Sequence, residues 1–390
     1  MARCPRCFQE ITDAVYTWIC QSGRCTTTVD PVASVFTNSD VASGPVVELQ
    51  RPSGARRGWE PPPGATCPGC SDVLADACPA CHYPLPTGWR QAESTCIAMA
   101  GARATGKSLF IAVLIKQLEQ LAGQLGTSID PATPATQASY QTVYEKPLYE
   151  ERGLMLPTPA AGQPSSYQRE PLIFSLGTWA SNRHYLVLRD VAGEDLERVE
   201  HGRLQYLDFF AHADAVFFMF DPLRVQEIRD QLQDLVPAQG ELGGDPKTVL
   251  SKLLMVLGAR APKVAMILSK FDAVQALRGV DGSEWSHIMS NPGAAFSRDP
   301  SMTTSRYDDE DGRLLHHEVR SLLEKLHAGP IVKAIENAGN GTQIQHRFFA
   351  VSALGESPVG EKLHTRGIAP FRCVDPLRWV LSQKDVLESR

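Results

Sequence analysis

An apolar run, Cys96 to Ala100, passes directly into Gly101-x4-Gly106-Lys107-Ser108, and a helical rhythm follows with Leu109, Ala112, Val113, Lys116, Leu118 and Leu121. Strand, glycine-bracketed turn and amphipathic helix in that order constrain this stretch to a βα unit of a parallel sheet. The glycines let successive backbone N–H groups wrap an anion, and the helix N-terminus adds partial positive charge. In this context Lys107 is expected to reach the β- and γ-phosphates of a nucleotide and Ser108 to hold Mg²⁺. The expected phosphate cradle is Gly101, Gly106, Lys107, Ser108 and Leu109.

From Thr95 onward apolar strands alternate with amphipathic helices. That pattern predicts an α/β fold, a mainly parallel sheet with helices on both faces. At 390 residues the chain has room for two to three domains. No internal repeat divides the α/β part, so the expectation is a small module over 1–92 and one large domain over 93–390. The 38 Lys and Arg against 44 Asp and Glu give a net charge of −6, which argues against blanketing nucleic acid phosphates. Arg51, Arg56 and Arg57 read as a solvated linker cluster. The start MARCPRCFQE has no apolar run, and the stretch Ala213 to Phe220 is interrupted by Asp214 and far too short to span a bilayer. The expectation is a cytoplasmic chain without a membrane span.

Eight of the ten cysteines fall in the first 81 residues. They form Cys4-x2-Cys7, Cys20-x4-Cys25, Cys67-x2-Cys70 and Cys78-x2-Cys81. In a reducing compartment such pairs mean metal before disulfides. A CPxC knuckle turns two thiolates to one side, and two knuckles complete a closed tetrahedral Zn²⁺ site. The stretch CPGCSDVLADACPACHYPLP resembles a zinc ribbon with a short hairpin between its knuckles. Two zinc ions are expected, one on Cys4, Cys7, Cys20 and Cys25 and one on Cys67, Cys70, Cys78 and Cys81, with a cross-braced pairing left open. His82 reads as a surface histidine rather than a ligand. The runs VASVF and PVVEL between the knuckles read as β-like. Cys96 and Cys373 read as small buried hydrophobes.

Further motifs resemble those of the translation-factor-related class of P-loop GTPases. The strand His184 to Arg189 ends in Asp190-x2-Gly193, similar to the DxxG motif that binds Mg²⁺ through water and senses the γ-phosphate. Ser269-Lys270-Phe271-Asp272 resembles the NKxD guanine motif, and Ser352-Ala353 the SAK loop. The resemblance, running over about 95–385, implies GTP or GDP with Mg²⁺ as the bound group, Ser108 and Asp190 on the Mg²⁺ side, and Ser269, Lys270, Asp272, Ser352 and Ala353 around the base. Thr158, ahead of the strand EPLIFSL, is the candidate switch threonine, with an ordinary loop threonine as the alternative. Four positions depart from the family pattern. Ser269 replaces Asn or Thr, Leu354 replaces the Lys of SAK, Glu194 stands where a water-orienting Gln is common, and Arg103 occupies a P-loop position that is often Gly. Arg103 is either a transition-state finger in cis or a solvent-facing arginine. With Lys107 and Glu194 it completes the catalytic candidates.

Insertions near 223–260 and 279–340 enlarge the domain, and the latter predicts a helix from Arg313 to His327. Zinc ribbons, an enlarged GTPase domain and a terminal VDPLRWVL helix together resemble the bacterial double-GTPase families. That resemblance implies a GTP-hydrolysing switch in a multi-component signalling or conflict system, with protein partners, a second GTPase among the candidates. A nucleotide-binding scaffold with little hydrolysis and an ATPase are the competing readings.

Overall fold

The computed structural model describes residues 2–56, 59–153, 155, 158–159, 170–177, 182–199, 205–232, 243–279, 284–338, 343–356, 363 and 367–388. Arg57 of the basic cluster lies outside them, as do parts of both insertions.

The N-terminal part contains β1 (Val15–Ile19), β2 (Thr28–Val29), α1 (Pro31–Thr37), β3 (Ala42–Ser43), β4 (Val46–Gln50) and β5 (Ala75–Ala77). β1 is the middle strand of a three-stranded antiparallel sheet, flanked by β4 and β5. Two expectations are corrected here. The VASVF run is helical, because Pro31 presets the first turn and Asp30 accepts from the amides of Val32 and Ala33. Between the third and fourth knuckles there is no hairpin of named strands; β5 pairs instead with the distant β1.

The larger part contains β6 (Glu93–Ala100), α2 (Lys107–Gln124), β7 (Asp130–Pro131), α3 (Pro134–Ser139), β8 (Leu172–Ser175), β9 (His184–Arg189), α4 (Gly193–Glu197), α5 (Phe209–His212) and β10 (Ala215–Phe220). After these come α6 (Gln226–Leu232), α7 (Pro246–Leu257), β11 (Lys263–Leu268), α8 (Phe271–Gln275), α9 (Glu284–Met289), α10 (Asp309–Lys325), α11 (Gly329–Glu336), β12 (His346–Ala350) and α12 (Asp375–Ser382). The seven-stranded sheet runs β12-β11-β10-β6-β9-β8-β7. β12, β11, β10, β6 and β9 are mutually parallel; β8 is antiparallel to β9, and β7 to β8. Every residue of β9 and β10 is buried, so both faces of the sheet are covered. α10 begins four residues before its predicted start, since Asp308 caps it and Asp309, Glu310 and Asp311 fill the first turn. Acidic residues there complement the helix dipole and leave no apolar signature.

β6 is central, and the chain order reverses on either side of it. Ligands of such sheets bind at the carboxyl ends of the strands near that reversal. Gly101, Asp190, Asp221, Ser269 and Val351 each follow such a strand end. Among the described residues no helix is long and apolar enough to cross a membrane.

Candidate functional site

The loop after β6 is shaped by backbone geometry. Gly101 has φ +138°, and a Cβ there would lie 2.2 Å from the Met219 carbonyl oxygen of β10, so the turn admits only glycine. Ala104 and Gly106 are also left-handed, and Gly106 caps α2. Lys107, the first residue of α2, is buried and donates to the carbonyls of Gly101 and Ala102, each at 2.9 Å. Burial pushes its ammonium below the usual lysine range, against the opposing pull of Asp190 and Glu197. A buried cation held by neutral carbonyls suits an anionic ligand. Leu109 lies one turn into the same helix and is half-buried.

Ser108, Thr158 and Asp190 converge beside this lysine. The Ser108 hydroxyl is 2.5 Å from Asp190 Oδ2 and 2.7 Å from Thr158 Oγ1, and Thr158 donates to the same carboxylate oxygen at 3.3 Å. Among the described residues Asp190 Oδ1 is buried without a hydrogen-bond partner. Burial raises the Asp190 carboxyl above its ordinary range, although Lys107, Ser108, Thr158 and the Val191 amide oppose this. Two hydroxyls and a carboxylate with one unpartnered oxygen make a hard donor set that fits Mg²⁺.

Gly193 opens α4 against the phosphate loop. A Cβ on it would meet the Arg103 nitrogen at 2.1 Å and the Ala102 carbonyl carbon at 2.3 Å. Arg103 Nη1 lies 3.0 Å from Glu194 Oε1, and Arg198 also reaches Glu194. The two open readings of Arg103 therefore meet a third arrangement: arginine and glutamate neutralise each other at the mouth of the loop. Glu197 accepts from the backbone amides of Arg103 at 2.9 Å and Gly244 at 3.0 Å. The sequence reading missed Glu197; its one signal is an acidic residue four positions after Gly193.

At the other end of the sheet edge, Asp272 Oδ1 accepts from Ser352 Oγ at 2.6 Å. Ser352 in turn accepts from the Gly355 amide at 2.9 Å. Lys270 is left-handed at φ +49° and donates to Asp221 Oδ2 at 2.5 Å. Ser269 turns its hydroxyl back onto the Phe220 carbonyl at 3.0 Å. Ala353 is half-buried beside Ser352. Asp221 was also missed; it shows in sequence only as a carboxylate closing an otherwise apolar strand.

The thiols form two four-sulfur groups, each with its Sγ atoms within 4.8 Å of one another. Their composition corrects the expected pairing. One group is Cys4, Cys7, Cys78 and Cys81; the other is Cys20, Cys25, Cys67 and Cys70. The knuckles are nested, first with fourth and second with third. Antiparallel pairing of β1 with β5 is the cause: the segment before β1 lies beside the segment after β5, and the segment after β1 beside the one before β5. Closest approaches are 3.5 Å for Cys4–Cys81, 3.7 Å for Cys7–Cys78, 3.8 Å for Cys20–Cys70 and 3.5 Å for Cys25–Cys67. Four thiolates around one zinc at about 2.3 Å stand about 3.8 Å apart, whereas a disulfide needs about 2.05 Å. The amides of Arg6 and Gly69 point at Cys4 and Cys67, as metal knuckles require. Both groups fit zinc. His82 is outside them and is no free surface residue: its Nδ1 lies 2.8 Å from Asp30 Oδ2.

Strand order, loop and converging side chains define a P-loop fold of the GTPase class, preceded by a module with two ribbon-like four-cysteine centres. The sequence model of the Double-GTPase 2 family matches residues 95–327. A protein of Mycolicibacterium smegmatis described as "Putative ESX-1 scaffolding and assembly protein SaeC" is 53% identical over 389 residues, covering 99% of this chain and 100% of that one. The chain belongs to the Double-GTPase 2 family. Among solved structures, the bacterial selenocysteine-specific elongation factor EF-Sec is 14% identical with a TM-score of 0.26, over 67% of this chain and 26% of that one. The S. cerevisiae Ski7 GTPase-like domain, bound to GDP and inorganic phosphate, is 12% identical with a TM-score of 0.32, over 75% and 50%. Overlaps this loose carry no functional weight.

Proposed function

We propose that the chain binds GTP with Mg²⁺, hydrolyses it slowly by in-line attack of water, and uses the nucleotide state to control assembly with protein partners. The observation that carries this reading is the meeting of Ser108, Thr158 and Asp190 beside Lys107. When bound, Mg²⁺ supplies charge neutralisation of the phosphates. Lys107 and the loop amides orient the phosphate chain. Thr158 and Gly193 are the two switch contacts, one on each side of the loop. Asp272, held by Ser352, presents its carboxylate to the base, which favours guanine over adenine because guanine offers two adjacent N–H donors. Ser352 and Ala353 close that end of the site. Zinc in the two thiolate centres stabilises a docking module.

Slow turnover follows from Glu194, which Arg103 and Arg198 hold by ion pairing where water positioning would be needed. This also supports a second reading, a nucleotide-binding scaffold with little hydrolysis. The relative's description as a scaffolding and assembly protein favours protein partners in either case. Denaturing the purified protein and identifying the released base tests the first step: guanine is expected, and adenine overturns it. Lys107→Ala should abolish retention; full retention would overturn the site. Steady-state turnover with and without partner proteins then separates switch from scaffold.

A further inference from the structure

We propose that the outer thiolate centre, Cys4/Cys7/Cys78/Cys81, positions the Mg²⁺-side carboxylate Asp190 through Arg189, so that metal at the outer centre tunes magnesium-dependent nucleotide binding. The proposal rests on the nucleotide reading above and adds a regulator to that site.

Arg189 is the last residue of β9 and immediately precedes Asp190. Its guanidinium is buried and reaches the outer knuckle. Nη1 donates to the Arg6 carbonyl at 2.5 Å, and Arg6 lies between Cys4 and Cys7. The guanidinium carbon sits 3.7 Å from the Phe209 ring centre, and Phe8, next to Cys7, packs edge-on against the same ring at 5.4 Å. Nε has no hydrogen-bond partner among the described residues, and the Arg6 carbonyl and the Phe209 face hold the rest of the guanidinium.

The knuckle is fastened along the rest of β9 as well. Trp89 stacks on Tyr185 at 4.8 Å and donates to the Arg3 carbonyl at 2.9 Å. The Arg3 amide donates to Ser94 Oγ at 3.1 Å, at the start of β6. The outer cysteines accordingly belong to the main core, whereas Cys20 and Cys67 pack in a separate small cluster with Tyr16, Trp18 and Leu74. A divalent ion held by the four thiolates would be net negative and would lie behind the knuckle whose Arg6 carbonyl the buried guanidinium meets. Protonated, metal-free thiols would lack that charge and the fixed knuckle geometry. Outer groups that fix a metal-binding carboxylate typically change metal affinity about tenfold or more, and Arg189 would act on Asp190 through the backbone they share.

The test uses the full chain, with zinc content measured and binding of a fluorescent GDP followed as Mg²⁺ is titrated. Arg189→Met and Cys78→Ser are expected to raise the Mg²⁺ needed for half-maximal binding about tenfold, while binding without added Mg²⁺ stays at the wild-type level. Arg189→Lys, which keeps a cationic donor, should recover part of the shift. Leu74→Ala, which loosens only the inner cluster, should leave the titration in place. A wild-type titration in Arg189→Met overturns the proposal, and that variant decides alone if Cys78→Ser does not fold. An equal shift in Leu74→Ala also overturns it, because general loosening would then suffice. Wild-type protein that binds no nucleotide at any Mg²⁺ level overturns the nucleotide reading and this inference with it.

Discussion

Lys270 and Asp221 form an ion pair of 2.5 Å across the ends of two neighbouring strands, with Asp221 only 1% exposed. The pair fixes the lysine next to Asp272, and Asp221 is itself held by the Leu223 amide at 2.9 Å. Asp221→Asn should therefore weaken GDP binding about tenfold and reduce discrimination against other bases. Titration with fluorescent GDP and competition by other nucleotides reads both. Unchanged affinity and selectivity would reduce the pair to a structural brace. Asp272→Asn should cost more, about 1.5–3 kcal/mol, because a charged acceptor is lost.

Gly193→Ala probes the contact between α4 and the phosphate loop. The added Cβ would fall 2.1 Å from the Arg103 nitrogen, so α4 cannot keep its place. Binding of GDP should weaken less than hydrolysis, since the base end is untouched while the clash falls on the Ala102–Arg103 backbone. Single-turnover hydrolysis should fall at least about tenfold, as expected when a transition-state contact is removed. Equal hydrolysis in variant and wild type would show that α4 acts elsewhere.

Metal analysis of the purified chain should return two zinc ions, and a strong chelator should lower the melting temperature. Short segments with little core of their own draw folding free energy from their metal. At about 4–8 °C per kcal/mol for a unit of fewer than 100 residues, even partial loss of the inner centre should shift its midpoint measurably. An unchanged melting curve after complete zinc removal would contradict the fit of the thiolate groups.

Acid should destabilise the fold through His316. Its Nδ1 accepts from the Phe348 amide at 3.0 Å, which requires that nitrogen to be unprotonated. Burial first, then His317, His346, Arg347 and Arg320, pushes its pKa down to about 4. The unfolded chain keeps the ordinary value near 6.5 and binds the proton more readily. This stability is fully present above that value and is lost as the pH falls towards 4. Urea midpoints should drop across that window, and His316→Gln should flatten the slope. His184, also pushed down to about 4 chiefly by burial, adds a component of the same sign.

The loop after β6 was legible in shape because Gly101, Lys107 and Ser108 lie within one βα unit, where sequence order is spatial order. The same holds for the cysteine knuckles taken singly. Their pairing was not legible, since it depends on β1 meeting β5, a choice made by distant strands. VASVF misled for a local reason: its β-branched and aromatic residues outweighed the Asp30-Pro31 start signal. Thr158 was chosen by order along the chain, and the fold brings it to Ser108 and Asp190. Glu197 and Asp221 escaped because single carboxylates gain meaning only from the amides and lysine that surround them.

The nested order of the knuckles has a consequence for biosynthesis. As the chain leaves the ribosome, the inner set is complete once Cys70 has emerged, while Cys4 and Cys7 wait for Cys78 and Cys81. The inner ligand set is therefore complete before the outer one. The outer set receives the rest of its seat later still, when β9 and Phe209 have been made. The outer knuckle is thus seated in stages, first on Trp89 and Ser94 and only after β9 is made on Arg189 and the Phe209 ring.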